Sequence, residues 1–199
     1  AVGFNALFVN TTGHSNVAIG QGALDANTEA NQNTAIGTDA LTTSTTGASN
    51  TAVGHDALKL TTTGGQNNAF GDGAMDANTT GCRNVAMGNG AMIKNTEGLC
   101  NVAIGHIASQ CNTTGDNNTA IGVLALSATT TASSNVAVGR KTMCTNTTGG
   151  NNTAIGNQSL EQNTTADNNT AVGFEALKVN TTGTLNTAVG SASLSTVSY

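Results

Sequence analysis

The chain has 199 residues with 25 glycines, no proline and no tryptophan, and only 9% of its residues are charged. So few large apolar side chains exclude an ordinary thick globular core, and low charge with 37% apolar residues excludes the usual composition of a disordered chain. A net charge of −5 with six scattered Lys and Arg excludes a basic nucleic-acid-binding stripe, and no apolar run is long enough for a membrane-spanning helix.

The first residue is Ala1, and no signal peptide opens the sequence, which reads as a processed product or a fragment. The glycine that closes each Ala-apolar-Gly triplet falls at 3, 20, 37, 54, 71, 88, 105, 122, 139, 156, 173 and 190, a constant interval of seventeen. The unit reads N-T-A-[IV]-G-x-x-A-L-x-x-N-T-T-G-x-x, and its positions are counted here from the Asn of N-T-A. A short period without slippage marks a solenoid, whose units stack and cannot fold alone. A unit of seventeen is too short for a helical-hairpin repeat and suits one coil of a β-solenoid.

In chain order, each unit predicts a strand over T-A-[IV]-G, a bend at G-x-x, a second strand over A-L-x-x and a bend over N-T-T-G-x-x. Stacked at strand spacing, about twelve coils give a rod roughly 55–60 Å long. The expected fold is all-β: a single-chain parallel β-solenoid over residues 1–199, one repeat domain with no capping domain.

The substitutions show what is enclosed. All 17 charged residues fall at positions 6, 7, 10, 11, 14, 16 or 17 of the unit. Position 3 is always Ala, position 4 is Ile, Val, Met or Phe, and position 9 is Leu or Met except at Ser109. Positions 4 and 9 are therefore the expected core, while Ala at 3 and 8 and Gly at 5 mark places without room. Position 1 holds Asn16, Asn33, Asn50, Asn67, Asn84, Asn101, Asn118, Asn135, Asn152, Asn169 and Asn186. Identical amides at strand spacing predict a structural ladder, and so does the Thr column at position 13.

"SNVAIG" at 15–20, "CNVAIG" at 100–105 and "SNVAVG" at 134–139 resemble the repeats in the head of trimeric autotransporter adhesins. N-T-A-[IV]-G repeats are also similar to those in phage tail-fibre shafts. The resemblance implies a left-handed β-roll, an extracellular or virion location, and a cell-surface or host receptor as partner. The adhesin-head coil is usually shorter than this one, and this chain shows neither a coiled-coil stalk nor a membrane anchor.

Side chains suited to chemistry are sparse, and no catalytic residue, no metal ligand and no cofactor is assigned. His14, His55 and His106 are read as surface residues; the last two share position 6 but lie three coils apart, too far for one metal ion. Asp39, Asp56, Asp72 and Asp76 are read as a solvated acidic face. "TTGGQNN" at 62–68 lacks the Lys of a phosphate loop. Ten N-x-[ST] triplets occur, nearly all generated by the unit. Ice binding ranks third among functions, because the Thr residues at 13 and 14 are adjacent and point apart. Cys82 and Cys100, at positions 16 and 17 of successive coils, come within disulfide reach, whereas Cys111 and Cys144 lie two coils apart.

The two ends suggest a joint. Residues 1–13 nearly copy residues 171–183, so one chain's end would continue into another's start. The expected end-to-end interface comprises Ala1, Val2, Phe4, Phe8, Val9, Val197, Ser198 and Tyr199. A second apolar patch, Ile107, Val123 and Leu124, is the expected lateral contact. The leading expectation is a non-enzymatic structural subunit of an extracellular filament, a homopolymer stacked head to tail. The alternative is a shaft or head module of a tail fibre or trimeric adhesin.

Overall fold

The structure is a computed structural model and describes residues 1–196. It forms one sheet of eleven parallel strands in sequence order. These are β1 (Val17–Ile19), β2 (Thr34–Ile36), β3 (Thr51–Val53), β4 (Asn68–Phe70), β5 (Val85–Met87), β6 (Val102–Ile104), β7 (Thr119–Ile121), β8 (Val136–Val138), β9 (Thr153–Ile155), β10 (Thr170–Val172) and β11 (Thr187–Val189). Every strand pairs with its counterpart one repeat further along, Ala18 with Ala35 and Ile19 with Ile36, and Val2 bridges Ile19 ahead of β1. The fold is thus the expected all-β parallel solenoid. A side-chain period of two leaves the central Ala of each strand facing inward and its two neighbours facing outward.

That alternation corrects the expected core. Position 4 points away from the interior: Ile19, Ile36, Met87 and Ile155 are all exposed. The interior is instead lined by Ala at position 3, mostly Ala at position 8, and Leu or Met at position 9, as in Ala35, Ala40 and Leu41. Two polar columns close it, at positions 1 and 12, as in Asn33 and Asn27.

The expected second strand is also absent. Positions 6 to 11 form turns, and positions 7, 9 and 17 adopt left-handed backbone conformations in coil after coil, as at Asp56 (φ 57°), Leu58 (φ 53°) and Gln66 (φ 62°). Backbone donors in this segment alternate direction. Gly22 N–H reaches the preceding coil at Phe4 C=O (2.9 Å), Ala23 N–H turns back to Gly20 C=O (3.4 Å), and Leu24 N–H reaches the next coil at Ala40 C=O (3.0 Å). These donors are satisfied without a strand ladder.

A left-handed leucine costs about 1–2 kcal/mol, and full burial of its side chain returns about 1.5–3 kcal/mol. Burial therefore wins at position 9, where Leu24, Leu41 and Leu58 are completely enclosed. Ser109 takes this place in one coil, and its buried hydroxyl has no partner.

Gly at position 5 is fixed by close approach. Gly105 has φ 134°, and a Cβ there would lie 2.7 Å from the Gly122 backbone of the next coil. At Gly190, after the last strand, a Cβ would meet no described atom within 4 Å.

Candidate functional site: an uncharged sheet face

The strand segment positions the most extensive unusual surface. Because Ala faces inward, the residues before and after it project together on the outside of the sheet. Position 2 contributes Thr, Val and once Asn68; position 4 contributes Ile, Val, Met87 and Phe70. No charged residue enters either column over eleven coils. The position-4 residues Ile19, Ile36, Phe70, Met87, Ile121 and Ile155 expose between 37% and 43% of their surface. A two-residue step of about 6.6 Å and a strand spacing of about 4.8 Å place these side chains on a regular grid about 50 Å long.

The grid is held from inside by hydrogen bonds. At position 1, the backbone N–H of Asn118 donates to Asn101 Oδ1 (2.8 Å), while Asn101 Nδ2 donates to Gly115 C=O (2.8 Å). The same pattern recurs from Asn16 to Asn186, so the expected ladder is present. The Thr column at 13 is a ladder of hydroxyls onto the next coil's carbonyl, as Thr96 Oγ1 onto Thr113 C=O (3.1 Å).

A second amide column, at position 12, is not evident in the sequence. Asn112 Nδ2 donates to Asn95 Oδ1 (2.9 Å) and to Gly115 C=O (3.0 Å), so both amide columns converge on one carbonyl. The available signal is that position 12 is never charged and is often Asn, but the N-T-T run also reads as a turn. This column is broken. Asn112 Oδ1 faces Thr129, whose hydroxyl is committed to Asn146 C=O (3.1 Å), and it has no partner. Asn27 Oδ1 is likewise unpartnered opposite Ser44.

The columns also sort the N-x-[ST] triplets. Asn78, Asn112, Asn146, Asn163 and Asn180 are buried in the position-12 column and Asn10 is half-buried at its start, whereas Asn117, Asn151, Asn157 and Asn168 are exposed.

The remaining predicted residues fall elsewhere. Ala1, Val2, Phe4, Phe8 and Val9 are exposed together in the first coil, with Phe4 75% and Phe8 71% accessible. Val197, Ser198 and Tyr199 lie outside the described residues. Val123 is exposed while Ile107 and Leu124 are half-buried; this patch sits on the turn side, away from the strands. Ile107 is a β-branched residue at φ 50°, tolerated against Gly90, where its Cγ2 occupies the space a Cβ would need. Cys82, Cys100, Cys111 and Cys144 are free thiols. Burial pushes the Cys144 thiol above its ordinary pKa, and Glu161 adds to the effect.

His14, His55 and His106 are all exposed. His55 Nδ1 lies 3.5 Å from Asp56 Oδ2 and from Asp72 Oδ1, and Lys59 Nζ pairs with Asp56 Oδ1 at 3.0 Å. Hydrogen bonding to Asp56 raises the Lys59 ammonium, and burial, aided by the Asp56 charge, raises the Asp76 carboxyl. The acidic face is therefore partly paired rather than wholly solvated. No group of three or more His, Cys, Asp or Glu among the described residues is arranged to hold a metal ion, and no cavity opens among them. No helix among the described residues is long and apolar enough to cross a membrane.

No protein-family model, no curated protein and no solved structure matches this chain.

Proposed function

We propose that this chain is a structural, non-catalytic fibre element: a rod that packs side by side with copies of itself through the outward face of its sheet. The observation that carries this reading is the uncharged, partly exposed grid of positions 2 and 4 over eleven coils. Contiguous exposed apolar surface of this kind marks an interaction site. A face about 50 Å long and about 10 Å wide, covered on both partners, removes roughly 1,000 Å² from water, the size at which specific interfaces begin. A second copy fits because the face is uncharged and repeats at one spacing, so two copies meet without unpaired charge. The likeness of the A-[IV]-G units to adhesin heads and tail-fibre shafts supports an extracellular or virion location.

A second reading, growth by head-to-tail stacking, is supported by Phe4 and Phe8, the most exposed aromatic side chains among the described residues. Sedimentation and electron microscopy of the purified chain separate the two. Lateral packing gives particles of fixed length and small integer stoichiometry that fall to monomers in an Ile104→Lys, Ile121→Lys double variant. Head-to-tail stacking gives filaments of varied length that survive that variant and are lost in Phe4→Asp, Phe8→Asp. A monodisperse monomer at high concentration overturns both readings.

A further inference from the structure

Two of the four thiols stand apart from the others in their placement. The backbone N–H of Cys100 donates to the Cys82 carbonyl at 3.1 Å, so these two residues are direct neighbours across one coil boundary. One strand spacing combined with a one-residue offset separates their Cα atoms by about 6 Å, inside the range of roughly 4.4–6.8 Å that disulfides span. Cys100 is exposed and Cys82 is half-buried. In the reduced protein Cys82 Sγ leans towards the preceding coil, accepting the Gly65 N–H at 3.3 Å and lying 3.2 Å from Thr80 C=O. Pairing with Cys100 therefore requires Cys82 Sγ to leave the Gly65 N–H by rotation about χ1.

We propose that Cys82 and Cys100 form an oxidation-dependent staple that locks two successive coils together. The co-reactant is a low-molecular-weight disulfide such as oxidised glutathione. The exposed Cys100, as its thiolate, attacks one sulfur of that disulfide, expelling one small thiol and leaving a mixed disulfide. The Cys82 thiolate then attacks Cys100 Sγ, forms the inter-coil S–S bond and expels the second small thiol. Each cysteine gives up one proton and one electron, and the small disulfide is reduced to two thiols.

Cys111 and Cys144 remain outside the reaction. They lie two coils apart, about 10 Å by strand spacing. Cys111 is close to Lys94 Nζ (3.8 Å) rather than to another thiol. The staple matters because the contacts between neighbouring coils among the described residues are otherwise non-covalent, chiefly hydrogen bonds and a narrow core. A covalent link at this boundary stops coils that peel from one end before the separation reaches the other. An extracellular location would supply an oxidising setting, but the pairing itself does not depend on it.

The test uses the full chain, incubated with oxidised glutathione and then denatured for thiol titration and intact mass. The expected result is a fall from four thiols to two, a loss of 2 Da and no adduct. The Cys111→Ser, Cys144→Ser double variant should still lose two thiols, and Cys100→Ser should lose none. Oxidised wild type should unfold more slowly in denaturant than the reduced form, a difference absent from Cys100→Ser. Retention of all four thiols, a stable glutathione adduct on Cys100, or cross-linked dimers would overturn the proposal.

Discussion

The strand side and the turn side of this solenoid solve the same stacking problem in different ways. On the strand side, an Asn at position 1, an Ala at 3 and a Gly at 5 recur in all eleven full coils. Each amide there hands its oxygen to the next coil's backbone, so one lost side chain orphans a buried N–H. On the turn side, the position-12 amides donate to the carbonyl three residues on and to one another, and their oxygens hold no backbone N–H of the next coil. Asn there gives way to Ser44, Thr61 and Thr129, at the cost of unpartnered oxygens on Asn27 and Asn112. Invariance in this chain therefore follows backbone dependence rather than burial, since both columns are enclosed.

The largest effect is expected on the strand side, from Gly105→Ala. The left-handed φ and the approach of the Gly122 backbone act together, and a loss of about 3 kcal/mol or more is expected in denaturant unfolding. Next comes a paired test of the two columns. Asn101→Ala removes the acceptor of the buried Asn118 N–H and should cost about 3 kcal/mol. Asn112→Ala orphans the Asn95 Oδ1 acceptor but no backbone N–H, and should cost less, about 2 kcal/mol. Equal losses would sink the contrast.

Two substitutions on the turn side are expected to give gains. Ser109→Leu restores the residue type found in most other coils and removes a buried unpaired hydroxyl. An increase of about 2 kcal/mol is expected, read as a higher thermal midpoint. The smallest effect belongs to Thr129→Asn, which offers an amide donor to Asn112 Oδ1 and should add about 1 kcal/mol or less. That gain should vanish in an Asn112→Ala background, and a double-mutant cycle without coupling would refute the ladder repair.

Much of the architecture was legible because a strict period leaves few options. The constant spacing of Gly and the absence of charge at fixed positions pointed to the coil, the parallel register and the first strand. The Asn column at position 1 was legible for the same reason. The direction of position 4 was not. Ile and Val suit an outward strand position as well as an inward one, and in a coil this thin Ala at position 3 fills the inside. The left-handed turns were invisible because their occupants include Leu58 and Met75, residues that carry no local signal for positive φ. The apolar sheet face was hidden along with the direction of position 4, because its residues read equally well as core.

The repeat alone was enough to establish the period, the one-coil unit and the stacking of like on like, since a repeated pattern can be satisfied only by repeated geometry. Which side of each strand faces in emerged only once the coil was closed. That choice depends on how much volume the closed coil leaves, and in this chain the room is enough for alanine, one leucine or methionine, and two amides, with isoleucine and valine turned outward.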